Sequence, residues 1–236
     1  MADPKTVGCR HDLKIGDVSE ILGSLQAVIF DLDGTLCDSI GVIISCSQLT
    51  FETLKLPVPT ESEIMAQIGR KLPEALYNML TSEHKKKAQL ALDTYLDLHR
   101  THPEFKIDKL YPRVEQLLVK LKARGLKIGV ASGRMTEGIT HTLEHSCLGQ
   151  YCDAFCAGDE VPSKPDPLMM QTVCRRLKVE PRFCLGVGDS ELDLKMYHNS
   201  NSYAMGVQTG VCSGEELLAL NPQLILPKAT DLEPYL

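Results

Sequence analysis

Along most of the chain, short apolar runs alternate with helical patterns, and this rhythm limits the possible folds more than any single residue does. Strand-like runs occur at Leu25 to Phe30, Leu126 to Ala131, Asp153 to Ala157, Phe183 to Val187, Tyr203 to Val207 and Leu224 to Leu226. Helical patterns fall between them, near 112–124, 136–146, 166–177 and 190–199. Such alternation predicts an α/β fold with a doubly wound, Rossmann-like parallel sheet, because each parallel crossover needs a helix to return the chain. Ligands of open parallel sheets bind beyond the carboxyl ends of the strands.

One stretch breaks the rhythm. From 39 to 105 the patterns are helical only, near 39–54, 61–67, 73–80 and 83–99, interrupted by Pro57, Pro59 and Gly69. An all-helical block between two strand-bearing regions reads as an inserted domain. The core is then made of 25–38 and 106–236, and 1–24 is an extension packed on it through a weak amphipathic pattern at Val18, Ile21 and Leu22.

The 236 residues carry a formal charge of −6 and a pI near 5.7, which gives no basic footprint for nucleic acid. The run Lys85-Lys86-Lys87 sits in a helical stretch and reads as a solvated face. Residues 1–20 show no apolar signal-type core, no run is long enough to span a bilayer, and nine cysteines cannot all pair within one chain. The expectation is a cytoplasmic protein with free thiols, no membrane partner and no nucleic-acid partner. Oligomeric state cannot be read from these features.

The residues that follow the apolar runs are chemically capable: Asp31 and Asp33, then Ser132 and Gly133, then Asp189 and Ser190, with Lys164 in a loop before a helix. Carboxylates, a hydroxyl and an ammonium gathered at one sheet edge suit a hard divalent cation and a phosphoryl group. Magnesium takes oxygen ligands and would neutralise anions that otherwise repel a phosphate.

The stretch Asp31-Leu32-Asp33-Gly34-Thr35-Leu36 resembles the first motif of the haloacid dehalogenase superfamily. Later motifs of that superfamily follow in order: Ser132 after Val130-Ala131, Lys164 in Ser163-Lys164-Pro165-Asp166-Pro167, and Gly188-Asp189-Ser190-Glu191-Leu192-Asp193. The resemblance implies that Asp31 is a nucleophile forming an aspartyl-phosphate and that Asp33 is the general acid and base. It implies Mg2+ on the Asp31 carboxylate, the Asp33 carbonyl and Asp189, with Asp193 behind these ligands. Ser132, Gly133, Lys164, Gly34 and Thr35 would contact the phosphoryl group.

The same resemblance makes the helical insert a small cap and points to a phosphoglycolate phosphatase-like enzyme acting on a small, soluble, anionic phosphorylated metabolite. Arg70 and Lys71, between two cap helices, would meet a second anion of that substrate; read as turn residues, they are simply solvated. Haloacid dehalogenases and phosphonoacetaldehyde hydrolases lack an aspartate at the position of Asp33, which favours phosphate esters. Phosphomutases of the β-phosphoglucomutase type remain a rival, but they carry a histidine where this chain has Ile43 among apolar neighbours. A catalytically silent binding protein on the same fold is a further alternative.

Two other patterns compete for attention. His141-Thr142-Leu143-Glu144-His145 matches an inverted zincin signature but falls in a helix needed to cover the sheet. Cys147, Cys152 and Cys156 lack a C-x-x-C pair and read as structural thiols. Cys37, next to the first motif, is a candidate site of oxidative inhibition.

Overall fold

A computed structural model describes residues 8–9, 15–105 and 109–236, with side chains from residue 20 onward. In chain order the first elements are β1 (Gly8–Cys9), α1 (Ile15–Ser24), β2 (Ala27–Phe30), α2 (Ile40–Thr53), α3 (Glu61–Met65), α4 (Leu72–Met79) and α5 (Ala88–Thr101). Next come α6 (Val114–Ala123), β3 (Lys127–Ala131), α7 (Thr136–Glu144), α8 (Leu148–Tyr151), β4 (Ala154–Cys156) and α9 (Leu168–Leu177). The chain closes with β5 (Cys184–Gly188), α10 (Glu191–Asn199), β6 (Tyr203–Val207), α11 (Gly214–Ala219) and β7 (Leu224–Leu226).

The strands form one seven-stranded sheet in the order β1-β7-β6-β5-β2-β3-β4. Pairings from β4 through to β7 are parallel, as the alternation predicts. The edge pair departs from expectation: Gly8 and Cys9 add an antiparallel strand to β7, so part of the N-terminal extension belongs to the sheet. Leu22 of the same extension is buried in the sheet's core, whereas the side chain of Val18 lies outside the described residues.

Alternate residues of β2 supply two cores. Val28 and Phe30 pack with Leu117, Leu121 and Val130 on one face; Ala27 and Ile29 pack with Met169, Val173 and Leu194 on the other. A sheet covered on both sides needs strands that are apolar throughout, which is why these runs read as continuous. Gly186 in β5 has no side chain because the ring of buried Tyr197 lies where its Cβ would be, 2.2 Å away.

Helices α2 to α5 bury Cys46, Phe51, Leu76, Leu80, Tyr95 and Phe105 in a third core of their own. The expected helix at 83–99 starts instead with a 3-10 segment, Ser82–Lys87, before α5. Within it Lys85 lies over the Tyr77 ring at 4.2 Å, while Lys86 and Lys87 are exposed, as a solvated face requires. Thr60 starts α3 with a reciprocal capping box to Glu63. Two adjacent chain segments join this block to the sheet: Cys37 bridges Leu110, and Asp38 N donates to Lys109 O at 2.7 Å.

Candidate active site

Register brings the chemistry together. Phe30 pairs with Val130 on one side and with Val187 on the other, so Asp31, Ser132 and Asp189 leave neighbouring strands at nearly one level. The chain turns to β3 on one side of β2 and later to β5 on the other, which makes this edge the topological switch point. After Phe30 the backbone coils tightly: the Leu36 and Cys37 N–H groups both donate to Leu32 O, and Gly34 sits at φ +76. A Cβ on Gly34 would come within 2.8 Å of an Asp189 oxygen.

Lys164 is buried and bridges two carboxylates, with Nζ 2.7 Å from Asp31 Oδ1 and 2.6 Å from Asp193 Oδ1. Burial works against its charge, but Asp193 and Asp31 prevail and hold its pKa above the ordinary lysine value. Among the described residues, hydrogen bonds to the Asp31 carboxylate reach only Oδ1. Burial pushes Asp31 well up; Lys164 opposes this, and Asp193, Asp189 and Asp33 reinforce it.

Asp189 is pushed up to about 7, first by burial and then by Asp193. It is fixed at both oxygens, by Thr35 Oγ1 on Oδ1 and Val211 N on Oδ2, each at 2.9 Å. Asp193 is fully engaged as well: Lys164 takes Oδ1, and the Ser190 hydroxyl and N–H take Oδ2 in the capping box of α10.

The cluster fits a divalent cation. Asp31, Asp189 and Asp193 can each place an oxygen within 4.8 Å of the others, a grouping not found elsewhere among the described residues. Four buried carboxylates, Asp31, Asp33, Asp189 and Asp193, face two cations, Lys164 and Arg134. When all are ionised, two negative charges remain, matching one divalent ion. Asp193 already holds the Lys164 ammonium on one oxygen, whereas Asp189 accepts only from the neutral donors Thr35 Oγ1 and Val211 N.

Asp33 has partners that sequence reasoning missed. Arg134 grips it in a fork, and Ser39 Oγ donates to Oδ1 at 2.6 Å. Burial would raise its pKa, yet Arg134 and Ser39 outweigh burial and hold it below the usual carboxylate value. The only signal for Arg134 was its place directly after Ser132-Gly133.

Ser132 is buried, and its Oγ accepts from Arg134 N at 3.2 Å. Thr35 and Gly34 serve the Asp189 side of the site, Thr35 through its hydroxyl and Gly34 through its lack of a side chain. Gly133 meets the helical block: its Cβ would lie 2.3 Å from Arg70 O. The 69–71 loop therefore docks on the sheet edge through its backbone, with Lys71 N donating to Ser163 Oγ at 3.1 Å. Arg70 pairs with Glu74 at 3.0 Å, and its buried Nε has no hydrogen-bond partner among the described residues.

The competing patterns resolve simply. His141 and His145 stack on each other, ring centroids 4.2 Å apart, and form no part of the acidic grouping. Cys147, Cys152 and Cys156 are free thiols. Cys37, the candidate site of oxidative inhibition, has no exposed surface, so an oxidant could reach it only if the surrounding chain opened. Among the described residues no helix is long and apolar enough to cross a membrane.

Comparison with known proteins agrees with this geometry. The phosphoglycolate phosphatase of Shigella dysenteriae is 27% identical over 235 residues, covering 90% of this chain and 92% of that protein. A solved structure from Clostridium acetobutylicum, described as a predicted phosphatase, shares 27% identity with a TM-score of 0.75, covering 89% of this chain and 97% of its own. A β-phosphoglucomutase from Clostridium difficile, 21% identical with a TM-score of 0.72 over 89% of this chain and 97% of its own, shares the fold. Residues 28–207 match the haloacid dehalogenase-like hydrolases, the family to which this chain belongs.

Proposed function

We propose that this chain is a magnesium-dependent phosphate-monoester hydrolase working through an aspartyl-phosphate on Asp31. The observation that carries the reading is the buried Lys164 bridge to Asp31 and Asp193 beside Asp189 at one sheet edge. The names of its relatives, phosphoglycolate phosphatases among them, point the same way.

Asp31, Asp189 and the Asp33 carbonyl would hold the ion. When bound, it offsets the surplus negative charge and draws electron density from the phosphoryl oxygens. Lys164 and Ser132 orient the phosphoryl group. An Asp31 carboxylate oxygen forms a bond to phosphorus as the ester oxygen leaves, taking a proton from Asp33. Asp33 then accepts a proton from water, whose oxygen attacks the same phosphorus, and the bond to Asp31 breaks to release phosphate.

Helices α2 to α5, within 39–105, act as a cap over a core of 25–38 and 106–236 and shield the intermediate from stray water. Ile43 lines the cavity where a mutase would carry histidine, which favours hydrolysis over transfer back to a sugar. The free thiols suit a reducing cytoplasm.

Phosphate release from p-nitrophenyl phosphate with and without magnesium tests this reading, with Asp31→Asn as control. Turnover should need the metal and fall by on the order of 10³-fold or more in the variant. Undiminished turnover in folded Asp31→Asn protein would sink the assignment of the nucleophile.

A further inference from the structure

We propose that the ester hydrolysed here has an uncharged, apolar alcohol as its leaving group, alkyl or aryl, and no second anion. This rests on the phosphatase reading and specifies its substrate. The first observation is space. A cavity of about 310 Å³ runs from Asp31 and Asp33 into the helical block, room for about ten waters at ~30 Å³ each. Its walls beyond the carboxylates are largely apolar, with Ile43, Ile64, Ile68, Leu72, Met79 and Tyr95 facing it. Packed protein interiors leave few voids larger than a water molecule. Loosely held water over such walls is released with gain when an apolar body takes its place.

The second observation is charge. Each lysine and arginine lining this cavity has a carboxylate partner: Arg134 with Asp33 at 2.6 Å and Arg70 with Glu74 inside it, and Arg100 with Glu137 at 3.6 Å and Lys109 with Asp38 at 3.8 Å at its exposed rim, while His99 and His141 also line it. Inside the cavity, a carboxylate or second phosphate on the substrate would have to compete with Asp33 or Glu74 for a guanidinium, and only the exposed rim pairs would yield at little cost. The Nε of Arg70 adds one open donor, enough for a single phosphoryl or ester oxygen. Between the carboxylates and the rim the walls are thus built for carbon.

A series of n-alkyl phosphates of increasing length, with phenyl phosphate, phosphoglycolate and pyrophosphate, tests this at saturating magnesium. We expect kcat/KM to rise about fourfold per methylene, the equivalent of ~0.8 kcal/mol per buried CH₂, until the cavity fills. A flat alkyl series would overturn the proposal, as would phosphoglycolate or pyrophosphate outpacing the longer alkyl esters. Ile43→Phe, checked for folding by thermal melting, should shorten the preferred chain; an unchanged preference would mean that the alkyl group lies elsewhere. If no ester turns over, the phosphatase reading fails, and calorimetry with alkylphosphonates on the magnesium-loaded wild-type protein still decides this one. Tighter binding with each methylene supports it, and length-independent binding overturns it.

Discussion

Arg134 and Asp33 are joined side by side: Nη2 lies 2.6 Å from Oδ1 and Nε 3.0 Å from Oδ2, across 101 residues of sequence. The fork favours an ionised Asp33. That state suits the step in which Asp33 takes a proton from water. Donating a proton to a leaving alkoxide requires the opposite state, so in the proposed mechanism Arg134 would set how much of the enzyme is ready for the first step at a given pH.

Arg134→Ala should therefore shift the pH dependence of kcat in one direction. Without the guanidinium, burial raises the Asp33 pKa, so the loss of rate on the alkaline side moves to higher pH for alkyl phosphates. p-Nitrophenyl phosphate, whose leaving group needs little protonation, should respond much less. Equal profiles for both enzymes on an alkyl ester would place the acid elsewhere.

Replacing Lys164 by methionine leaves Asp31 and Asp193 buried without their shared cation. Loss of one partner from a buried ionic cluster costs about 3–5 kcal/mol, roughly 6–20 °C in Tm for a chain of this size. Thermal melting of the metal-free variant measures it. A Tm within about 2 °C of wild type would mean the carboxylates had simply taken up protons at little cost.

Gly210→Ala should weaken magnesium binding without touching a ligand. A Cβ at Gly210 would fall 1.8 Å from Asp189 Oδ2, so the carboxylate must swing out of place. We expect a loss of affinity on the order of 10–100-fold, the range seen when groups supporting metal ligands are disturbed. Calorimetric titration with magnesium gives the number, and wild-type affinity would show that Asp189 is not a ligand.

Magnesium affinity should also depend on pH. The Asp189 carboxyl of the metal-free protein titrates near 7, above its ordinary value, so below that pH the ion must displace a proton. Apparent Kd should rise as pH falls through this range, by up to about tenfold per pH unit for each proton displaced, with Asp31, also pushed up by burial, adding to the dependence. Calorimetry on either side of pH 7, in buffers of different ionisation enthalpy, would reveal the released proton. A pH-independent Kd without proton release would contradict the perturbed state of Asp189.

The sheet was legible because a two-sided parallel sheet writes itself as apolar runs, and Tyr203–Val207 begins and ends where its apolar residues do. The ends of those runs also named Asp31, Ser132 and Asp189, since the chemistry of an open α/β sheet is confined to one edge, while Lys164 was named by its Ser163-Lys164-Pro165 motif. The strand Gly8–Cys9 was not legible: two residues hold no period, and their pairing depends on β7 far along the chain. Arg134 and Ser39 were missed for the same kind of reason. A basic residue and a helix-starting serine are common beside any turn, and only the folded sheet brings both to the Asp33 carboxylate. Arg70 is where its position between two helical stretches put it, on the cavity wall, and the fold adds what the sequence did not show, a pairing with Glu74 one turn later.

Cys37 and Leu110 form a single bridge, flanked by the bonds from Asp38 N to Lys109 O and from Tyr111 N to Leu36 O, so one two-stranded ribbon is the chain connection between the helical block and the sheet, and the 69–71 loop touches the sheet edge only through contacts that can part. A leaf mounted on one narrow hinge can swing, but it cannot slide sideways without tearing the ribbon's bonds. Admission of an ester and departure of its alcohol would then be the same rotation run in opposite senses. An occupant that fits the apolar walls well enough to hold the leaf shut would be cleaved readily and let go slowly.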